Sequence, residues 1–430
     1  MHKYPKILAI SILFLTGFLS NKALAQESLT WGACIEEARK NHPDLISAQE
    51  GVKQYEAGKK ITASTLYPQI DSSADVSRER TKTTASGKTT KKTDNSFGYG
   101  VTGSQLLFDG LKTANDLKAA SEDIKAAEFN YKFTSSEVRL RLRTAFINLL
   151  KAQESLKITQ DIYDIRRGNL ELITLRYESG IEHRGALLTA EANLAQSEFE
   201  IAQNKRALEV AQRELIKEMG RVKSSPIRVE GEFRVADAAL EKPDFEVLAN
   251  KNPSLGKLAA QKNAASFGIK AAKADFLPQL SAQTGASKSN SHWPPDNEQL
   301  SAGLSLSLPL FEGGLRLAQV AQAKAIFNQA QADERSAKDS IILSLQQSWA
   351  ALADAVGTVK VQSKFLEAIE ERARISEAQY SLGLIQFDNW TIIEDQLVNA
   401  KKSFLDAQAN ALLAEASWVQ AKGETLEYAN

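Results

Sequence analysis

The chain has 430 residues, room for two or three ordinary domains or for one elongated repeat structure. Its 53 basic and 53 acidic residues cancel, which excludes the basic excess of a dedicated nucleic-acid binder. With 43% hydrophobic and 25% charged residues and only 10 prolines, the composition is that of a folded, helix-rich chain rather than a disordered one.

Residues 1–25 read as a secretory signal. Lys3 and Lys6 precede the apolar run Ile7 to Leu19, and Ala23-Leu24-Ala25 is a small-residue cleavage site that places the mature start at Gln26. That run is too short to span a bilayer as a helix, and no later stretch is apolar for long enough. One cysteine, Cys34, excludes an intramolecular disulfide. Trp31-Gly32-Ala33-Cys34 only faintly resembles a lipidation site, because it lies past the apolar run and offers Trp where a small aliphatic residue is wanted. A thiol buried on a helix face is the better reading.

Two strands come next. Ile70, Ser72, Ala74 and Val76 alternate with Asp71, Ser73, Asp75 and Ser77, and Phe97, Tyr99 and Val101 alternate with Gly98, Gly100 and Thr102. This period of two predicts strands over about 67–79 and 96–108, each with one apolar and one polar face and long enough to cross a membrane at a tilt. Arg80 to Asp94 reads as a polar hairpin loop, with Lys82, Lys88, Lys91 and Lys92 better explained as solvated than as lipid-bound. Gly98-x-Gly100-x-x-Gly103 matches a dinucleotide fingerprint literally, but it lies within a strand rather than before a helix and reads as a lumen face.

Lys112 to Arg176 contains no proline, which predicts a helix of roughly 100 Å at ~1.5 Å per residue. Leu142, Leu149, Leu156, Tyr163 and Leu170 recur at heptad spacing, as do Leu187, Leu194, Ile201, Leu208 and Leu215 on the return leg. Such spacing marks supercoiled helices packed along a seam. Gly180 sits at the reversal, where a left-handed residue is useful.

The whole order then repeats. Pro43 and Pro68 return as Pro253 and Pro278, offset by 210, and Gly180 and Gly220 return as Gly383 and Gly423, offset by 203. The predicted layout is a first repeat over 26–220 (helix, two strands, helical hairpin 112–220) and an inter-repeat segment over 221–244. A second repeat follows over 245–423, with strands about 277–287 and 300–311 and a helical hairpin 315–423, and then a tail over 424–430. The clearest alternation is Leu300, Ala302, Leu304, Leu306, Leu308 and Leu310 against Ser301, Gly303, Ser305, Ser307 and Pro309.

Four membrane strands cannot close a barrel, since about eight is the smallest single-chain number and an open edge in lipid leaves unpaired backbone groups. The chain must therefore assemble. Dimers supply eight strands and trimers twelve, and the small polar inward residues suit the wider, water-filled lumen.

With these features the chain resembles the TolC family of outer-membrane efflux proteins. The motifs are Tyr67-Pro68-Gln69 and Leu277-Pro278-Gln279, Leu107-Phe108-Asp109-Gly110 and Leu310-Phe311-Glu312-Gly313, and Arg176-Tyr177-Glu178-Ser179-Gly180 and Gln379-Tyr380-Ser381-Leu382-Gly383-Leu384, each duplicated and in order. The resemblance implies a mixed fold, a membrane β-barrel plus a long α-helical coiled-coil tunnel, with a 12-stranded barrel completed by a homotrimer in outer membrane lipid. It implies an exit duct for tripartite efflux or type I secretion, docked to a periplasmic adaptor (membrane fusion) protein and an inner-membrane pump of RND or ABC type. It implies no enzyme activity, cofactor, metal or nucleic acid. Residues 221–244 would lie in a belt around the tunnel's waist.

By the same resemblance Ser179, Gly180, Ile181, Leu382, Gly383 and Leu384 would form the periplasmic tips that dock the adaptor. Ala186, Tyr380, Asp388, Asn389, Trp390 and Ile393 would surround the entrance constriction. Relatives often carry Asp where this chain has Ala186 and Asn389, and acid where it has Ile392, so closure is expected from packing of Tyr380, Trp390 and Ile393 more than from charge.

Two other readings fit less well. An enzyme lacks support, because His42, His183 and His292 lie far apart in the pattern and no nucleophile–His–acid or metal-ligand spacing occurs. A periplasmic coiled-coil scaffold or adaptor would explain the helices but not the duplicated alternating strands.

Overall fold

The computed structural model describes residues 27–223, 225–233 and 241–428. The predicted signal and its cleavage site lie outside the described residues, as does part of the inter-repeat segment. Strand β1 (Glu27–Leu29) leads into α1 (Trp31–Asn41) and α2 (Pro43–Ser64). Strands β2 (Gln69–Ala85) and β3 (Lys88–Phe108) follow, then α3 (Lys112–Glu178) and α4 (Arg184–Glu218). After β4 (Ile227–Val229) the series repeats as α5 (Phe245–Lys251), α6 (Pro253–Ala274), β5 (Gln279–Asn290), β6 (Asn297–Ser307), α7 (Leu315–Ser381) and α8 (Phe387–Ala421). Both long helices have 67 residues and both return helices 35. Proline at the first helical position separates α1 from α2 and α5 from α6, where its missing N–H costs nothing.

The four long strands form one antiparallel sheet in the order β2-β3-β5-β6. Its register separates a mainly apolar face from a polar one. Ile70, Ala74 and Val76 align with Gly103, Tyr99 and Phe97; Val101 aligns with Ala286, and Ala286 with Leu300. The opposite face carries Asp71, Ser73, Asp75, Gly98, Gly100, Thr102, Gln283, Gly285, Ser301 and Gly303. Gly103 therefore stands on the apolar face, unlike Gly98 and Gly100, and corrects the reading of that motif as one lumen face. A Cβ on Gly98 would lie 2.6 Å from the Asp75 carboxylate and one on Gly100 2.9 Å from Ser287 Cβ, so these glycines permit close strand pairing.

The first hairpin departs from expectation. Residues 80–94 are strand almost throughout, paired from Arg80↔Thr93 to Ala85↔Lys88, and only Ser86 and Gly87 turn the chain. Both have positive φ (50° and 74°), the conformation that a two-residue hairpin turn needs. The segment's threonines are β-branched and favour an extended chain, a preference that polarity had masked. The last predicted strand is shorter than expected: it ends at Ser307, and Leu308 to Phe311 continue outside it.

Helix α3 packs against α2, α4, α6 and α8, while α7 packs along its length against α5, α6 and α8 and meets α3 at its C-terminal end, at Tyr380. The largest core gathers where β1, α1, α3, the end of α4 and β4 meet, around Leu142, Phe146, Leu149, Leu215, Ile216, Met219 and Ile227. There β1 and β4 pair in parallel, from Glu27↔Ile227 to Leu29↔Val229. Cys34 is buried in this core, and burial pushes its thiol up to about 12, as expected of an inert structural cysteine.

Candidate functional site

Both helical hairpins reverse by the same device. At the first, Gly180 has φ 74°, Gly180 N–H donates to Tyr177 O (3.0 Å) and Ile181 N–H to Arg176 O (2.8 Å). At the second, Gly383 has φ 75°, Gly383 N–H donates to Tyr380 O (3.0 Å) and Leu384 N–H to Gln379 O (2.8 Å). This pairing satisfies the last helical carbonyls with a glycine in the left-handed region. Its usual companion, an apolar side chain folded back on the helix, is missing: Ile181, Leu382 and Leu384 are 65%, 74% and 69% exposed. Ser179, Gly180 and Gly383 are exposed as well.

Just above these turns a small core joins the two repeats. Ile173, Ala186, Ala190, Tyr380, Phe387 and Trp390 are buried together, with Leu170, Leu187 and Ile385 against them. Tyr380 and Trp390 stack at 4.4 Å with their planes 7° apart, and Phe387 meets both edge-on. The Tyr380 hydroxyl donates to Glu182 Oε1 (2.7 Å), and the Arg176 guanidinium lies over the Tyr380 ring at 4.6 Å. Arg176 also approaches Glu182 (3.8 Å) and donates to Tyr380 O (3.4 Å). Burial, followed by the Glu182 hydrogen bond, raises the Tyr380 phenol well above its ordinary range, so it stays a neutral donor.

Of the six entrance residues inferred from resemblance, Ala186, Tyr380 and Trp390 meet in this core. Ile393 is half-buried and outside it, and Asp388 and Asn389 are exposed. Packing and charge are joined here: the ring that stacks on Trp390 also holds the Glu182 hydrogen bond. Sequence reasoning missed Arg176, Glu182 and Phe387 as partners. Their signal was an asymmetry between repeats, since Phe387 and Trp390 stand where the first repeat has Arg184 and Leu187.

One level higher, α3 and α8 exchange charge. Arg166, buried, pairs with Asp395 (2.5 Å). Beside it Glu394 is buried, and burial raises its carboxyl above the usual range despite the attraction of Arg166 and Lys401 and with repulsion from Glu377 and Asp395. Lys151–Asp406 (2.7 Å) continues the series between α3 and α8, and Lys402–Glu200 (2.8 Å) ties α8 to α4.

At the far end of α4, Glu218 closes that helix against the N-cap of α2. It takes His42 Nε2 at 3.4 Å, Arg141 Nε at 3.2 Å and Lys217 Nζ at 2.9 Å. His42 Nδ1 accepts from Asp44 N–H, which leaves the proton on Nε2 facing the carboxylate. The His42 hydrogen bond leads the effects that pull Glu218 down to about 2. Asn252 takes the corresponding place in the second repeat, capping α6 through Ser254 N–H and donating to Ala421 O (3.0 Å). Among the described residues no group of His, Cys, Asp and Glu could hold a metal ion, and no helix is long and apolar enough to cross a membrane.

A family model described as outer membrane efflux protein matches residues 34–221 and 246–424. The outer membrane efflux protein BepC of Brucella suis is 23% identical over 98% of this chain and 88% of its own length. The outer membrane protein TolC of Escherichia coli is 23% identical over 97% of this chain and 86% of its own. Among solved structures, the Campylobacter jejuni CmeC outer membrane channel superposes with a TM-score of 0.78 at 18% identity, covering 92% of this chain and 86% of that one.

Proposed function

The chain belongs to the outer membrane efflux protein family, and on that premise we propose that it is a passive exit duct, three copies of which close a 12-stranded barrel in the outer membrane above a helical tunnel. One observation carries this reading. The sheet has two open edges, β2 and β6, and one face of apolar residues exposed to the surroundings: Ile70 and Val76 at 74%, Leu300 at 74%, Leu304 at 72% and Leu306 at 68%. In water such a sheet would aggregate, and in lipid its edges would leave backbone groups unpaired. Pairing β6 of one copy with β2 of the next removes both edges, and three copies supply twelve strands.

The helices have matching open sides. On α4, Leu188, Phe199 and Val210 are exposed at steps of three helical turns, and on α7 Leu343, Val361 and Phe365 are exposed. A ring of copies would bury α7 against α2 and α4 of its neighbour. The polar sheet face then lines a water-filled lumen of Ser, Gly, Thr and Gln. The tips around Gly180 and Gly383 face the periplasm, and their exposed Ile181, Leu382 and Leu384 offer an apolar surface to a periplasmic adaptor, which links the duct to an inner-membrane pump. The Tyr380–Trp390 core holds the two hairpins together and keeps the entrance narrow. No catalytic step is assigned.

Reconstitution into planar bilayers tests this reading. Purified protein is expected to insert and give discrete conductance steps, small in the wild type and larger in Tyr380→Ala. Protein that inserts no conducting unit under any condition would contradict the duct.

A further inference from the structure

Resting on the barrel reading, we infer that the outward face of the β2–β3 hairpin binds phosphate-bearing lipid headgroups of the outer leaflet. The hairpin turns at Ser86–Gly87, at the end of the sheet away from the helices, so it projects from the outer surface. Its register continues the apolar face upward without a break. Above Val76 that face carries Arg78, Arg80 and Lys82 on β2, and Lys91 opposite Lys82 on β3. It carries four cations and no acid. The other face of the same segment carries Glu79 opposite Asp94 and Thr81 opposite Lys92, with Lys92 paired to Asp94 at 3.0 Å, so its charges are mixed. The second hairpin has one outward cation, Lys288, which lies lower, level with Tyr99 and Ala74, and is paired with Glu298 at 3.6 Å. Cation segregation belongs to one face of one hairpin, which mere solvation does not require.

The height of the stripe fits a headgroup layer. Phe97, Tyr99 and Trp293 cluster with ring centroids 6.3–6.4 Å apart, and such an aromatic group marks the membrane interface. Phe97 is level with Val76. At about 3.4 Å per residue and a tilt of about 40°, Arg78 lies about 5 Å and Arg80 about 10 Å beyond that level, within reach of a polar layer about 5–8 Å thick. Lys82 and Lys91 face each other directly, a like-charge pairing that destabilises a hairpin unless an anion lies between them. Among the described residues no carboxylate pairs with any of the four cations. A phosphorylated headgroup supplies the missing charge, and arginine takes phosphate with two hydrogen bonds.

The test titrates the wild-type protein in detergent with diphosphoryl lipid A and with the same lipid stripped of both phosphates, counting bound lipid by native mass spectrometry. The diphosphoryl form is expected to bind at least about tenfold more tightly, with a preference that falls as salt rises. Arg78→Gln/Arg80→Gln/Lys82→Gln/Lys91→Gln is expected to lose that preference, and the opposite-face control Lys88→Gln/Lys92→Gln to keep it. Equal binding of the two lipids by the wild type overturns the inference even if the fourfold variant does not assemble, and so does equal loss in the control. A trimer that binds both lipids alike removes this site and leaves the duct intact, whereas a detergent-free monomer removes both.

Discussion

Tyr380 is held by three different forces at once: stacking on Trp390, a charge-assisted hydrogen bond to Glu182 and a guanidinium over its ring. Two substitutions separate them. Tyr380→Phe keeps the stack and loses a hydrogen bond to a carboxylate worth about 1.5–3 kcal/mol. Trp390→Ala empties a buried aromatic site, a change that typically costs about 3–5 kcal/mol. Both are expected to raise single-channel conductance, with Trp390→Ala the larger; equal conductance in wild type and both variants would show that this core does not hold the entrance. Trp390 Nε1 and Arg176 Nε are buried without hydrogen-bond partners among the described residues, so this core forgoes stabilisation that a rearranged tip could regain.

Two buried carboxylates give opposite pH signatures. Glu218 has its pKa lowered from an ordinary 4.5 to about 2, so its contribution to stability is present above pH 4.5 and is lost as pH falls towards 2. The groups facing it are His42, Lys217 and Arg141, the last shared with Asp44. Glu218→Gln is expected to lower the melting temperature at neutral pH and to differ little from wild type near pH 2. Glu394, raised by burial, favours its neutral form in the fold and opposes stability at high pH. Glu394→Gln is therefore expected to raise the melting temperature at neutral pH, with the gain shrinking as acid protonates the wild type. Thermal melts across pH that showed the same sign for both variants would contradict the assignment.

At the scale of elements, four helices end on a glycine with positive φ, but the four sites differ. An added Cβ at Gly180 or Gly383 meets nothing within 4 Å, whereas at Gly220 it would lie 2.4 Å from Asn41 O and at Gly423 2.4 Å from Pro253 Cδ. Gly180→Ala is expected to cost the left-handed backbone term alone, about 1–2 kcal/mol, and Gly220→Ala clearly more, because the α1–α2 junction at Asn41 and His42 must move. Comparable melting temperatures for the two would deny Gly220 its tight seat against Asn41. These elements were legible because period-two alternation, heptads and a duplicated order all agree on them. The polar part of the β2–β3 hairpin was not legible, since polarity usually means loop and the threonine preference for strand is weaker than that habit. The tip core was half legible: Tyr380 and Trp390 stood out as residues, but Arg176 and Glu182 become partners of Tyr380 only when the tips of the two helical hairpins are brought together.

For the whole molecule, the proposed ring of copies would give each open side a counterpart. Strand β6 and helix α7 lie at one flank, β2 with α2 and α4 at the other, and each flank leaves apolar side chains uncovered. A single chain cannot satisfy them, and a closed ring can, because cyclic closure abolishes sheet edges. Twelve strands in three chains also agree with a lumen face of small polar residues, too small to fill a wide barrel. The most direct measurement is the mass of the detergent-purified protein by light scattering with the detergent subtracted. A mass of three chains is the expected result. A monomer that stays soluble without detergent would mean that the sheet forms no membrane barrel, and the exit duct would have to be given up.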